Sequence, residues 1–177
     1  MGVAEKSASL LFKKMSMKMD KYTEAVICHE WGHALLGYFL FGSRSVESIE
    51  FRDNFLNLYG HTNMIYNNEP TEENQVLLLY GGITAENICG YSRVLMHKGT
   101  DADKICLLIP DKRQRSETGD IARNMLAPYK DSLEWLTKTT IEHYPKERDE
   151  NGCIYYRIFH DELVQWVEDA VNRKVTF

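Results

Sequence analysis

What this sequence has little of removes several classes of protein. No apolar run reaches the roughly 18–20 residues that a membrane-spanning helix needs. The longest candidate, at 25–41, is broken by His29, Glu30 and His33. There is no basic excess: 21 Lys and Arg stand against 26 Asp and Glu, a formal net charge of −5. A nucleic-acid partner wants a positive face, so none is expected. Cysteine is sparse, and Cys28, Cys89, Cys106 and Cys153 form no close pair. A disulfide framework is therefore not expected, and the four read as reduced thiols of a cytoplasmic protein, mostly small core residues. Internal repeats and low-complexity tracts are missing. The opening "MGVAEKSASLLFKKMSMKMDK" lacks secretory order, since its lysines follow the short apolar patch. Lys6 stands where a myristoylation signal wants Ser or Thr.

What is present is an ordinary folded composition: 44% hydrophobic, 11% aromatic and 27% charged over 177 residues. That suits one domain with a helical extension. Residues 1–19, rich in Lys and Met, read as an N-terminal extension that packs on the domain or on a partner. Residues 20–177 read as a single domain. Asp20 is expected to cap a helix that Gly42 ends, and apolar residues around most of its circumference predict burial on several sides. "VESIEF" (46–51) and "HTNMIY" (61–66) read as short strands. Thr71 opens a second helix, "EENQVLLLYGGITAENIC", whose Gly81–Gly82 pair costs about 1 kcal/mol per glycine against alanine unless close packing requires it. "GYSRVLMHKG" reads as a loop and "TDADKICLLI" as a third helix stopped by Pro110. "DKRQRSETGD" reads as a mobile charged loop. Beyond it come a helix with a break at Pro128, a turn at "KERDENG" and a last helix, "FHDELVQWVEDAV". The fold class is α+β, mainly α, with a small antiparallel sheet and a helical C-terminal part.

The first helix contains "HEWGH" at 29–33. Residues i and i+4 of a helix share a face, so His29 and His33 can offer nitrogens to one ion. Glu30 lies one step round, where it can reach a water on that ion. Zinc lowers the pKa of such a water towards about 7, and Glu30 can serve as its general base. Inside a buried helix, two histidines and a glutamate cost a few kcal/mol each if left unpaired, which a metal would offset. A catalytic site also needs a third protein ligand and an open position. Glu69, Glu72, Glu73, Glu86, Asp101 and Asp103 all lie downstream, and the physics of ligation does not choose among them.

At this point the chain resembles the zinc peptidase domain of the FtsH-type membrane proteases, the M41 peptidases. The resemblance runs in order through residues 22–109. "YTEAVICHEWGHALLGYFL" is similar to that family's histidine-motif helix. "VESIEF" and "GHTNMIY" look like its strand pair, with Gly60 and Thr62 matching a Gly-Tyr-Thr pattern. "LLLYGGITAENICG" is similar to its Leu-Gly-Gly-Arg-Ala-Ala-Glu-Glu helix, and "KGTDADKI" to the Gly-Ala-x-Asn-Asp-Leu stretch that supplies the third ligand. The resemblance implies zinc held by His29, His33 and Asp103, Glu30 as general base, and Glu86 as support for a ligand. Asp101 is the near competitor to Asp103, with helix capping as its other role.

The departures narrow what carries over. These residues hold no AAA ATPase module and no phosphate loop, so ATP-driven threading is not expected. Trp31 stands where the family prefers a small residue, and Ile83 replaces an arginine. The function expected is a stand-alone zinc metallopeptidase acting on unstructured peptides or flexible segments, or on a single dedicated protein, with the oligomeric state left open. The competing expectation is a non-catalytic binding or regulatory module with a structural metal or none.

Overall fold

A single helix, α1 (Val3–Phe41), forms the axis of the domain. It was expected to open at Asp20, but it runs unbroken through that position, because residues 3–19 contain neither Gly nor Pro to interrupt it. The computed structural model describes residues 3–54, 58–66, 69–92, 100–145, 147 and 149–173, and for residues 3–20, 100 and 173 the backbone alone. Ala25, Val26, Ile27, Cys28, Trp31, Ala34, Leu35 and Leu36 of α1 are all buried, so the helix is enclosed on several sides as its composition predicts. Gly42 ends it with φ of 86°, a value that favours glycine.

Strands β1 (Val46–Asp53) and β2 (Leu58–Met64) follow as an antiparallel pair. A third strand, β3 (Ile154–Phe159), pairs antiparallel with β1, so the sheet order is β2-β1-β3. Sequence reading missed β3. It is six residues long, and only Ile154 and Ile158 are buried, so its alternation is weak. The inner face of the sheet packs Val46, Ile49, Phe51 and Ile158 into the same core as α1.

Helix α2 (Glu72–Cys89) is capped by Thr71, whose hydroxyl accepts from the Asn74 amide, and ends at Gly90 in the left-handed region. Helix α3 (Thr100–Leu108) precedes Pro110. The charged stretch from 111 is not a loop but the start of α4 (Lys112–Leu126). Asp111 caps it by accepting from the Gln114 amide, Arg113 pairs with Glu117 one turn on, and Thr118, Ala122 and Leu126 form its buried stripe. A 3₁₀ turn at Ala127–Tyr129 contains Pro128 and leads into α5 (Lys130–His143). Helix α6 (His160–Arg173) closes the described chain. The domain is mainly helical with one small antiparallel sheet, the α+β class expected. Among the described residues no helix is long and apolar enough to cross a membrane.

The Gly81–Gly82 pair lies where α1 and α2 cross. A β-carbon on Gly32 would stand 2.3 Å from the Gly81 carbonyl oxygen, and one on Gly81 would stand 2.7 Å from that of Gly32. The obstacles are backbone, so neither can swing aside. Gly32→Ala should therefore force the helices apart and cost about 1–3 kcal/mol or more. The check is urea unfolding of parent and variant side by side; an unchanged midpoint would contradict the contact.

Candidate metal centre

Both histidines of the α1 motif face α2 and α3. His29 Nε2, His33 Nε2 and Asp101 Oδ2 stand 3.0, 3.0 and 3.1 Å from one another, a nearly equilateral triangle. Ligand atoms bound at about 2.0–2.1 Å in tetrahedral geometry lie about 3.3 Å apart. The triangle is slightly tighter than that and has the right donor set. Among the described residues this is the group of three that can hold a metal ion.

The other nitrogen of each ring decides which electrons face the centre. His33 Nδ1 lies 2.7 Å from the Leu78 carbonyl oxygen. A carbonyl only accepts, so Nδ1 carries the proton and the Nε2 of the neutral ring presents a lone pair. His29 Nδ1 lies 2.5 Å from Glu86 Oε1, and an ionised Glu86 fixes the same tautomer there. Two nitrogen lone pairs and a carboxylate oxygen then converge on one point. Such an arrangement needs a cation between them, either a metal or a proton.

The alternative to a metal is a proton, which the surroundings of His29 favour. Burial alone would lower the His29 pKa, but hydrogen bonds to the Asp101 and Glu86 carboxylates outweigh it, and the group is pushed up to about 10. Burial acts to raise Asp101, yet the two imidazoles hold it well below the usual carboxylate range.

The sequence left the third ligand open among six acids, with Asp103 implied by the resemblance and Asp101 its near competitor. The structure corrects this: Asp101 meets both imidazoles, and Asp103 is exposed. Both lie in the first turn of α3, but two residues turn the side chain about 200° round the axis, so only one can face α1. Glu69, Glu72 and Glu73 are exposed and stand outside the cluster. Glu86 is buried, and its Oε1 meets the outer nitrogen of His29 rather than the centre. His61 is exposed on β2, and His97 lies outside the described residues. The role of the Leu78 carbonyl had no sequence signal, because any residue supplies one.

Glu30 is buried beside the cluster. Its Oε2 accepts from the Thr62 hydroxyl at 2.7 Å. It opens on a cleft of about 1350 Å³ whose lining includes Tyr59 and Met64 of β2, Leu79 and Ile83 of α2, and Leu107 and Leu108 of α3. Among the described residues β2 is an edge strand of the sheet. Trp31 is fully buried and does not line the cleft. Its indole Nε1 donates to Thr140 Oγ1 at 2.8 Å and its ring lies 6.1 Å from that of Trp166, away from the histidines. Cys28 is core, whereas Cys89 and Cys153 are half-buried and Cys106 is exposed, so the expectation of mostly buried thiols holds for one of four.

No protein-family model matches this chain, and no curated protein matches it in sequence.

Two outcomes follow from the geometry. Asp101→Ala should abolish stoichiometric metal binding while Asp103→Ala retains it, read by elemental analysis of the purified proteins; the reverse pattern would overturn the ligand set. The second concerns chelated protein. Unfolded His29 gives up its proton near 6.5 and the folded group near 10, so between these values the folded state holds more protons and stability falls as pH rises. Asp101 works oppositely: its contribution is present above about 3.8 and is lost as pH falls through its lowered value. The melting temperature with chelator should decline from pH 6.5 towards 10; a rise across that range would refute the cluster's protonation.

Proposed function

We propose that this chain is a zinc-dependent metallopeptidase of the M41, FtsH-like kind, acting without an ATPase module on unstructured polypeptides. The observation that carries the reading is the convergence of His29, His33 and Asp101, with each imidazole held at its outer nitrogen so that its lone pair faces the centre. Zinc bound by these three would supply a Lewis acid for the scissile carbonyl and an activated water. Among the described residues three ligands converge, and three would leave a tetrahedral ion one open position, which favours a catalytic over a closed structural metal.

The chain's own residues then divide the work. Glu30, one step round α1 from His29 and open to the cleft, takes the proton of the attacking water and hands it to the leaving amine. Glu86 and the Leu78 carbonyl keep the histidines in the ligating tautomer. Strand β2, an edge strand of the sheet among the described residues and part of the cleft lining, would offer backbone groups to an extended peptide. Such pairing needs a strand-like segment free of other structure, so an unfolded chain is the fitting substrate and a folded protein is not.

The test is Glu30→Gln. The variant should bind about one zinc like the parent, yet cleave denatured casein about 10²–10⁴-fold more slowly, the usual worth of a positioned base. Zinc content by elemental analysis and release of labelled casein fragments measure the two halves. A variant that cut as fast as the parent would exclude Glu30 as the base. A parent that holds zinc and cuts nothing would favour the second reading, a binding or regulatory module.

A further inference from the structure

We infer that Thr62 is a positioning residue for Glu30, holding the base in place from the strand that would carry the substrate. The inference rests on the peptidase reading above and adds to it the device that aims the base.

Glutamate on a helix has three rotatable bonds, and freezing them costs rotamer entropy. A general base gains from being held, because misplacement by about 1 Å is worth on the order of 100-fold in rate. Strand β2 supplies the hold. Its alternation sends Leu58, Gly60, Thr62 and Met64 towards α1. Thr62 Oγ1 lies 2.7 Å from Glu30 Oε2 and 3.1 Å from the Glu30 carbonyl oxygen. A hydroxyl has one proton, and the shorter, charge-assisted contact to the carboxylate is the stronger.

Gly60 shapes the other side. A β-carbon there would stand 2.4 Å from Glu30 Cγ and 2.7 Å from Oε1, so the side chain lies directly against the strand's backbone. Thr62 and Gly60 thus meet the same carboxylate from one strand, two residues apart. The strand is itself held: Thr62 pairs with Ile49 and Gly60 with Phe51, and both partners are fully buried in the core. The consequence is a mechanical link. The strand proposed to accept the peptide is the strand that orients the base, so a shift of one is felt by the other.

The experiment compares parent, Thr62→Val and Thr62→Ser, each loaded with zinc. Valine keeps the shape and removes the donor, while serine keeps the donor. Positioning predicts that Thr62→Val retains about one zinc and a near-parent melting temperature and KM for denatured casein, while kcat falls about 10- to 100-fold. Thr62→Ser should restore most of that loss. A readout free of turnover is the Glu30 carboxylate band in infrared spectra, isolated by subtracting Glu30→Gln from the same background. It should shift in Thr62→Val, where its hydrogen bond is gone, and return in Thr62→Ser.

The outcomes separate. A cleaving parent whose Thr62→Val variant matches it in kcat and in the infrared band overturns the inference and leaves the peptidase reading standing. Loss of zinc or of stability in step with activity makes Thr62 merely structural, and also overturns it. A zinc-loaded parent that cuts nothing overturns the peptidase reading, and this inference falls with it.

Discussion

Everything at the centre depends on how closely α1 and α2 approach. With glycine on both sides of the crossing, at 32 and 81, the two backbones come within a distance that no side chain would allow. The His29 ring lies against Gly82, where an added β-carbon would stand 2.4 Å from its Nε2. That proximity brings Glu86 to the Nδ1 of His29, and the Leu78 carbonyl to the Nδ1 of His33. The glycine pair is costly for an isolated helix. It is explained by what the crossing achieves, which is to hand each histidine an oxygen partner from a neighbouring helix.

The electrostatics follow from this arrangement. Two histidines and two carboxylates share a largely buried volume, and none of them could stay there alone at tolerable cost. Each ring has an oxygen partner at its outer nitrogen, so part of the burial is offset by hydrogen bonding. The tautomer imposed from outside then makes the inner face electron-rich. A site of this kind stores a demand for positive charge, met by a proton on His29 or by a divalent ion.

Much of this was legible in the residues. The i, i+4 spacing of His29 and His33, the caps at Thr71 and Gly42, and the buried character of α1 all rest on local periodicity, and local periodicity survives folding. What was not legible depended on contacts distant in sequence. Asp101 and Asp103 differ only in which way α3 is rolled against α1, which no local signal encodes. Strand β3 exists because β1 offers it an edge some hundred residues away, and its own pattern is too weak to announce it. The stretch from Lys112 looked like a solvated loop because its charges outnumber its apolar residues. Its buried stripe of Thr118, Ala122 and Leu126 is narrow and includes a threonine.

That misread helix bears on the site more than its composition suggests. Helix α3 carries Asp101 at one end, and the other end must be fixed for the carboxylate to stay in register. Ile105 and Ile109 pack with Val76 of α2 in a small cluster of their own. The Arg115 guanidinium donates to the carbonyls of Ile109 and Pro110, which follow the last turn of α3. Tyr80 of α2 in turn donates to the Arg115 carbonyl at 2.8 Å. The charged helix therefore braces α3 against α2, the same helix that orients both histidines. The three candidate ligands come from two helices, α1 and α3, and α2 is the common reference against which both are set. A change in the roll of α2 would move the tautomer-fixing oxygens and the support of Asp101 together, so the centre is held as one unit rather than as three separate side chains.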